Sequence, residues 1–385
     1  MSGRRLGMGS IKGIPRRLAT YVGANRWMLA IALLPITAAM NRLGSGNGLL
    51  VERYYSGLVF RYMSMAVSNV TGMLPFSLGE FLIIFTAFAA VVLLIRLIAR
   101  IVRGEGGRLR IAGRGLMALL VACCWVYFGA SAIWNMNYNR QPVIGLIGIG
   151  QTAPTRERLA DLGLYLVGEA NGLREGMPED KRGVYALDGS AGEVMRGVHR
   201  GYDALADEFP FLSGRYGPPK TMLFSKALSY MGLSGIYFPF TFEANVNGDM
   251  EDVAKAFTAA HESAHQRGFA KEDEANLLAV LTCLSHPDAR VRYSGAFMAM
   301  IYVVNSAQRA DPDIAATLRG LMGDGVRRDL AAHSEYWRAF ETPVREAVRT
   351  VNDAYLKANR QEDGVRSYGN VTDHLISWFS ARGVI

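Results

Sequence analysis

Apolar positions along the chain follow two regimes that change over near residue 134. Before it they form unbroken runs; after it they recur every three to four residues, as one face of a helix requires. The clearest run is "FLIIFTAFAAVVLLI", Phe81 to Ile95. With its apolar flanks it reaches about 20 residues, enough to cross a bilayer as a helix. A second run from Gly115 to Trp134 carries no charge and ends in aromatic residues suited to a membrane interface. A third, "WMLAIALLPITAAM", Trp27 to Met40, is shorter and holds Pro35, which membrane helices tolerate. An interfacial helix or the apolar part of a signal peptide would read the same way. The pattern predicts a membrane domain over residues 1–134 with about three transmembrane helices, at 27–42, 76–102 and 113–134.

No later run approaches membrane length, so residues 135–385 are expected to form a separate water-soluble domain. Helical spacing predicts helices over 155–170, 191–208, 251–267, 271–284, 293–306, 313–322 and one long helix over 329–359. Two stretches read as extended. "KTMLFS" and "GIYFPFTFEANV" are rich in aromatic and β-branched residues, and Pro239 confines the second to a sheet edge. The fold class is therefore mainly α, with transmembrane helices followed by an α+β domain that holds a small edge-strand element.

Charge places these parts. The 385 residues carry a formal net charge of +8, but the surplus sits in residues 1–114, with 15 Lys and Arg against 3 Asp and Glu. Residues 115–385 hold 27 against 31. Nucleic-acid binding needs a basic surface on the folded domain, so no nucleic-acid partner is expected. The basic residues instead flank apolar runs, as in a protein whose partner is membrane lipid. Arg and Lys cluster before Trp27 and between the second and third spans, which marks both segments as cytoplasmic. The domain after residue 134 then lies outside the cytoplasm. Cys123, Cys124 and Cys283 offer neither a CxxC pair nor a disulfide framework.

Chemistry concentrates in "HESAHQRGFAKEDEAN", His261 to Asn276. His261 and His265 are four apart, one turn above each other on a helix, so both imidazoles can hold a single Zn²⁺. Glu262 lies about 100° around that helix, where a carboxylate can accept a proton from an attacking water. Asn247 or Asp249 can cap the helix and Gly268 can end it. A third protein ligand must leave one position open. Glu272, Asp273 and Glu274 are nearly equal candidates on spacing alone.

"EDEAN" is similar to the E-x-x-A-D/N ligand helix of gluzincin metallopeptidases. That resemblance implies Glu272 as the third ligand, with Glu274 as the alternative, and Asn276 as a group that orients a histidine ligand from behind. HExxHxxG also resembles the metzincins, but their third ligand would fall on Lys271, a cation. The order of apolar spans, "WNMNYNRQP", "GLSGIYFPFTFEANVN", "HESAHQRGFAKEDEAN" and "RYSG" resembles domain-of-unknown-function family 3810 over nearly the whole chain. The resemblance implies a zincin-like fold and a zinc site in a bacterial cytoplasmic membrane protein. The expected function is a zinc metallopeptidase acting on a peptide or protein substrate. The rival is a non-catalytic scaffold or sensor in which zinc pins two helices together. A site-2-type intramembrane protease is disfavoured by Lys255, Gln266 and Arg267 around the motif.

Further candidates are weaker. In zincins an edge strand beside the active-site helix pairs with an extended substrate, so Glu243 and Asn245 are candidates to line the cleft. A donor to the oxyanion is sought among Tyr293, His333, Tyr368 and His374. Glu80, at the end of an apolar run, is costly in lipid and is expected to face protein or the interface.

Overall fold

The computed structural model describes residues 26–104, 107–359, 361 and 370–385. The chain is mainly helical with a small three-stranded sheet. Among the described residues, four helices longer than ten residues start before residue 134: α1 (Leu33–Ser45), α2 (Arg61–Gly72), α3 (Leu78–Arg103) and α4 (Arg108–Ile133). Two compact units result. Of the described residues, one takes in those up to Leu43 and Thr86–Ala132; the other takes in those of Gly44–Phe85 and Ile133–Ile385.

Among the described residues, α3 and α4 are the two helices long and apolar enough to cross a membrane. Each has 26 residues, about 39 Å at 1.5 Å per residue, against a hydrocarbon core of about 30 Å. None of the most apolar window of α3 is buried. The run expected at 27–42 forms a 3-10 segment, Arg26–Ala32, that leads into α1, and its apolar helix, Leu29–Ser45, is shorter than the other two.

The second unit continues with α5 (Arg156–Arg174), α6 (Ala191–Gly197), α7 (His199–Ala206), β1 (Lys220–Thr221), α8 (Ser225–Met231), β2 (Gly235–Phe238) and β3 (Glu243–Val246). It ends with α9 (Asp252–Gln266), α10 (Glu272–Leu284), α11 (Ala289–Ala310), α12 (Pro312–Leu321), α13 (Asp324–Ala339), α14 (Pro343–Ala358) and α15 (Val371–Ala381). The core helix is α9, of which nearly every residue is buried. Its alanines at 254, 256, 259, 260 and 264 keep all sides thin, so α10, α11 and the sheet approach it closely. Tyr202 of α7 donates its hydroxyl to the Ala260 carbonyl at 2.8 Å.

Several expectations change. Asn247 and Asp249 do not cap α9. Glu251 stands at its N-cap without a side-chain bond, while Asn247 donates to Leu233 O at 3.1 Å and Ser229 Oγ at 3.0 Å. The helix expected over 191–208 is two short ones, α6 and α7. The long helix expected over 329–359 breaks before Pro343, because proline disfavours a helical conformation at Thr342; Thr342 becomes the N-cap of α14 and accepts from Arg345 N. "GIYFPFTFEANV" is a hairpin rather than one strand. β2 pairs antiparallel with β3, Gly235 opposite Val246 and Phe238 opposite Glu243, and β1 pairs parallel on the far side of β3. Phe242, with φ of +55°, turns the chain where no glycine or asparagine marks a turn. Its carbonyl accepts from Gln266 Nε2 at 2.9 Å and its ring packs against Phe60. β2 is thus an edge of the sheet. "KTMLFS" contributes only Lys220 and Thr221 to the sheet, and Ser225 already begins α8.

Residues 44–85, read from sequence as part of the region before 134, pack into the body that holds the candidate site. Arg140 forms a forked pair with Glu52 at 2.7 and 2.8 Å and donates to Arg267 O at 3.0 Å. Glu80 is buried, its carboxylate accepting the amides of Leu223 and Phe224 at 3.0 and 2.7 Å. An acid that seemed stranded in an apolar run therefore has its partners in protein.

Candidate metal centre

Two consecutive helices and one turn build the centre. α9 carries His261 and His265 one turn apart, their ring centroids 4.7 Å from each other and nearly perpendicular. The chain reverses at Gly268, whose φ of +81° belongs to the left-handed region. A Cβ there would also stand 3.0 Å from Phe60 Cδ1 and Asn137 Oδ1, so both backbone and space demand glycine. α10 then starts at Glu272 and aims its first side chain back at α9.

His261 Nε2 and Glu272 Oε2 are 3.2 Å apart, and His265 Nε2 and the same oxygen 3.8 Å. One ligand atom from each of the three residues lies within 4.8 Å of the others. Zinc ligands at about 2.0–2.1 Å in a tetrahedron stand about 3.3–3.4 Å from one another, so the two shorter separations bracket one tetrahedral edge. His265 Nδ1 lies 2.7 Å from the Phe269 carbonyl. A carbonyl only accepts, so Nδ1 carries the proton and Nε2 presents its lone pair to Glu272, the tautomer a metal needs. Two imidazoles and one carboxylate that converge in this way fit a zinc ion.

Electrostatics follow the burial. Burial holds His265 down to about 4, with the charge of Glu272 opposing in part. Burial also lowers His261, but its bond to Glu272 and the charges of Glu262 and Glu272 outweigh that, so it sits above its ordinary value. Burial pushes Glu262 up to about 8, with His261 opposing and Glu272 adding. Glu262 Oε2 is buried without a hydrogen-bond partner. Its Oε1 lies beside Gly235, where a Cβ would stand at 2.5 Å. The strand β2 thus passes directly over the carboxylate.

A cleft of about 950 Å³ opens on these groups. It is lined by His261, Glu262, His265 and Glu272, by β2, and by the inner faces of α13 and α14. Asn276, one turn beyond Glu272, lies beside His261 and accepts from Tyr302 Oη at 3.2 Å. Trp134 stands edge-on to His265, centroids 5.6 Å apart.

The structure separates the remaining candidates. Glu274 turns away from the centre: its Oε1 lies 3.4 Å from Val143 N and from Lys271 Nζ. Glu243 does not line the cleft. It is buried against Lys220 Nζ at 2.6 Å and accepts the amides of Leu78 and Gly79 at 3.0 and 2.7 Å. Asn245 is buried in β3 and donates to Ile236 O and Glu243 O. Tyr293 is fully buried, its hydroxyl bonded to Asp329 beside Arg174, and is no cleft residue. His374 pairs with Asp273 at 3.2 Å and lies outside the cleft lining. Tyr368 lies outside the described residues. His333 lines the cleft. So do Trp134, Tyr138, Tyr302 and Tyr355, none of which the sequence reading assigned to the site. Trp134 and Tyr138 fall in "WNMNYNRQP", a motif whose aromatic spacing was the available signal.

Residues 55–376 match the model of the family described as Protein of unknown function (DUF3810). The match covers well over half of the chain, which therefore belongs to that family. No curated protein and no solved structure matches the chain.

Proposed function

We propose that the protein is a membrane-anchored, zinc-dependent metallopeptidase with a zincin-like catalytic body. The observation that carries this reading is the convergence of His261, His265 and Glu272 at the floor of an open cleft, with Glu262 beside them and its Oε2 buried without a hydrogen-bond partner. His261, His265 and Glu272 would hold the zinc. Bound there, zinc supplies Lewis acidity that polarises a carbonyl and acidifies water. Glu262 takes the proton of the attacking water and returns it to the leaving amine. The outer edge of β2, beside Glu262, holds an extended peptide by main-chain bonds. His333, alone among the described oxyanion candidates in lining the cleft, supplies a donor for developing negative charge.

Two features weigh against the scaffold reading. Among the described residues no fourth His, Cys, Asp or Glu joins the cluster, and a closed structural site needs one. The cluster also opens on a large cleft rather than a sealed interface.

The membrane reading rests on α3 and α4. The most apolar windows of both helices are almost wholly unburied by protein, and exposed apolar surface of that size calls for lipid. The chain enters this hairpin from Gly44–Phe85 and leaves it into Ile133–Ile385, two segments of one body; crossing and returning leaves both on the same side. The basic residues Arg103, Arg108 and Arg110 between the two spans support a cytoplasmic link there, with the body outside the cytoplasm. The decisive experiment measures zinc content and peptide hydrolysis for the wild type and Glu262→Gln. The reading expects Glu262→Gln to retain zinc and lose hydrolysis; full activity in that variant with zinc bound would sink it.

A further inference from the structure

Among the described residues, Arg345 is the one Lys or Arg that lines the cleft. It lies in the first turn of α14, where the helix dipole disfavours a cation. No described carboxylate forms an ion pair with it. Its Nη1 donates to Trp337 O at 3.0 Å and its guanidinium lies 5.8 Å from the Trp337 ring. Nε and Nη2 make no hydrogen bond to a described residue, so most of the donors of a five-donor fork that lines the cleft have no protein acceptor. The bond to Trp337 O, in the last turn of α13, places one guanidinium donor at that helix's C-terminus; no ion pair engages the others.

Its place relative to the metal centre can be bounded. A Cβ on Gly232 would stand 2.8 Å from Arg345 Cγ, and one on Gly235 stands 2.5 Å from Glu262 Oε1. Three residues of extended chain span at most about 10 Å. A strand added antiparallel to the edge of β2 runs from the level of Phe238 towards Gly235 and on towards Gly232. The portion of a peptide beyond the bond at Glu262, on its C-terminal side, is thereby carried to Arg345.

We propose that Arg345 is a carboxylate-binding residue of this cleft, and that it selects peptides bearing a carboxylate about two to three residues beyond the scissile bond. Guanidinium and carboxylate match as a fork of two parallel hydrogen bonds. The carboxylate comes from a chain terminus or from an Asp or Glu side chain. This inference rests on the peptidase reading for its geometry, and its test is separable from it.

The test uses the full-length zinc-loaded protein in the Glu262→Gln form and fluorescein-labelled apolar hexapeptides. One ends in a free carboxylate, one in an amide, and one in an amide with glutamate at the penultimate position. The expected result is at least tenfold tighter binding of an acid-bearing peptide than of the plain amide. Arg345→Gln should erase that preference and Arg345→Lys should keep part of it, with thermal melting showing both variants folded. The two acidic peptides tell terminus from side chain. Equal binding of all three, a preference that survives Arg345→Gln, or no binding of any peptide would overturn the proposal. Zinc content and wild-type hydrolysis report on the peptidase reading separately. A protein that cuts nothing yet holds acid peptides through Arg345 would lose that reading and keep this site.

Discussion

Glu262 and Gly235 touch across the site: the glycine leaves the space into which the carboxylate fits, and a methyl group there would stand 2.5 Å from Oε1 and 2.8 Å from Asn245 O. A side-chain oxygen can retreat, but the backbone of β3 cannot without disturbing the sheet. One glycine therefore sets both the position of the proposed base and its distance from the edge of β2.

Gly235→Ala should accordingly separate metal binding from catalysis. The ligand atoms lie on α9 and α10, away from the added methyl, so zinc content should stay at the wild-type level. Hydrolysis should fall at least about tenfold, since misplacing a reacting group by about 1 Å can cost 10²-fold. Metal analysis and steady-state kinetics on one preparation check this. Loss of zinc together with activity would show that the methyl disturbs more than Glu262.

Glu272 and Glu274, close to equal on spacing alone, should behave differently. Glu272→Ala removes a converging ligand atom and should weaken zinc by more than the 10- to 100-fold typical of groups that merely support a ligand. Glu274→Ala should leave zinc affinity within a few-fold of wild type, because its carboxylate faces Val143 and Lys271. Competition with a chromophoric chelator measures both.

The metal-free protein should lose stability as pH rises through neutrality. Glu262 is pushed up to about 8 by burial, so between its ordinary value of 4.5 and about 8 the folded state binds more protons than the unfolded state. Stability then falls with rising pH. His261, also raised, acts in the same direction. His265, held down to about 4, acts oppositely, but only below its ordinary value of 6.5. Between pH 6.5 and 8 the chelator-treated protein should therefore lose up to about 2 kcal/mol through Glu262. Glu262→Gln should flatten that slope in thermal melts; an unchanged slope would show that Glu262 does not carry it.

Much of the centre was legible in sequence because its spacing is helical. His261 and His265 are one turn apart wherever α9 forms, and Gly268 announces the reversal that returns Glu272. The cleft walls were not legible. Tyr302 and Tyr355 sit on α11 and α14, helices that reach the site only through tertiary packing, and no local pattern distinguishes them from core aromatics. The hairpin was missed because Phe242, a bulky residue, occupies the left-handed turn position. Glu80 was recognisable as an anomaly, but its partners are amides more than 140 residues away, beyond any local reading.

Glu243 was a candidate for the cleft, and the structure gives it a different task whose consequence can be measured. Its carboxylate joins Lys220 Nζ, the Thr241 hydroxyl and the first amides of α3, while Lys220 Nζ also donates to Thr71 O and Phe76 O at 2.6 and 2.8 Å. The cluster thus ties the sheet to the segment that leads into α3. Glu243→Ala leaves a buried ammonium without its counter-charge and frees buried amides, a loss expected to cost about 3–5 kcal/mol. It removes nothing from the cleft, so the folded fraction should keep its zinc and its hydrolytic rate. Replacing Glu243 and Lys220 together, with Met at both positions, should restore much of the stability, because no lone charge then remains in the interior. Chemical denaturation of the single and double variants tests this, and a double variant no more stable than Glu243→Ala would show that the orphaned ammonium is not the source of the loss.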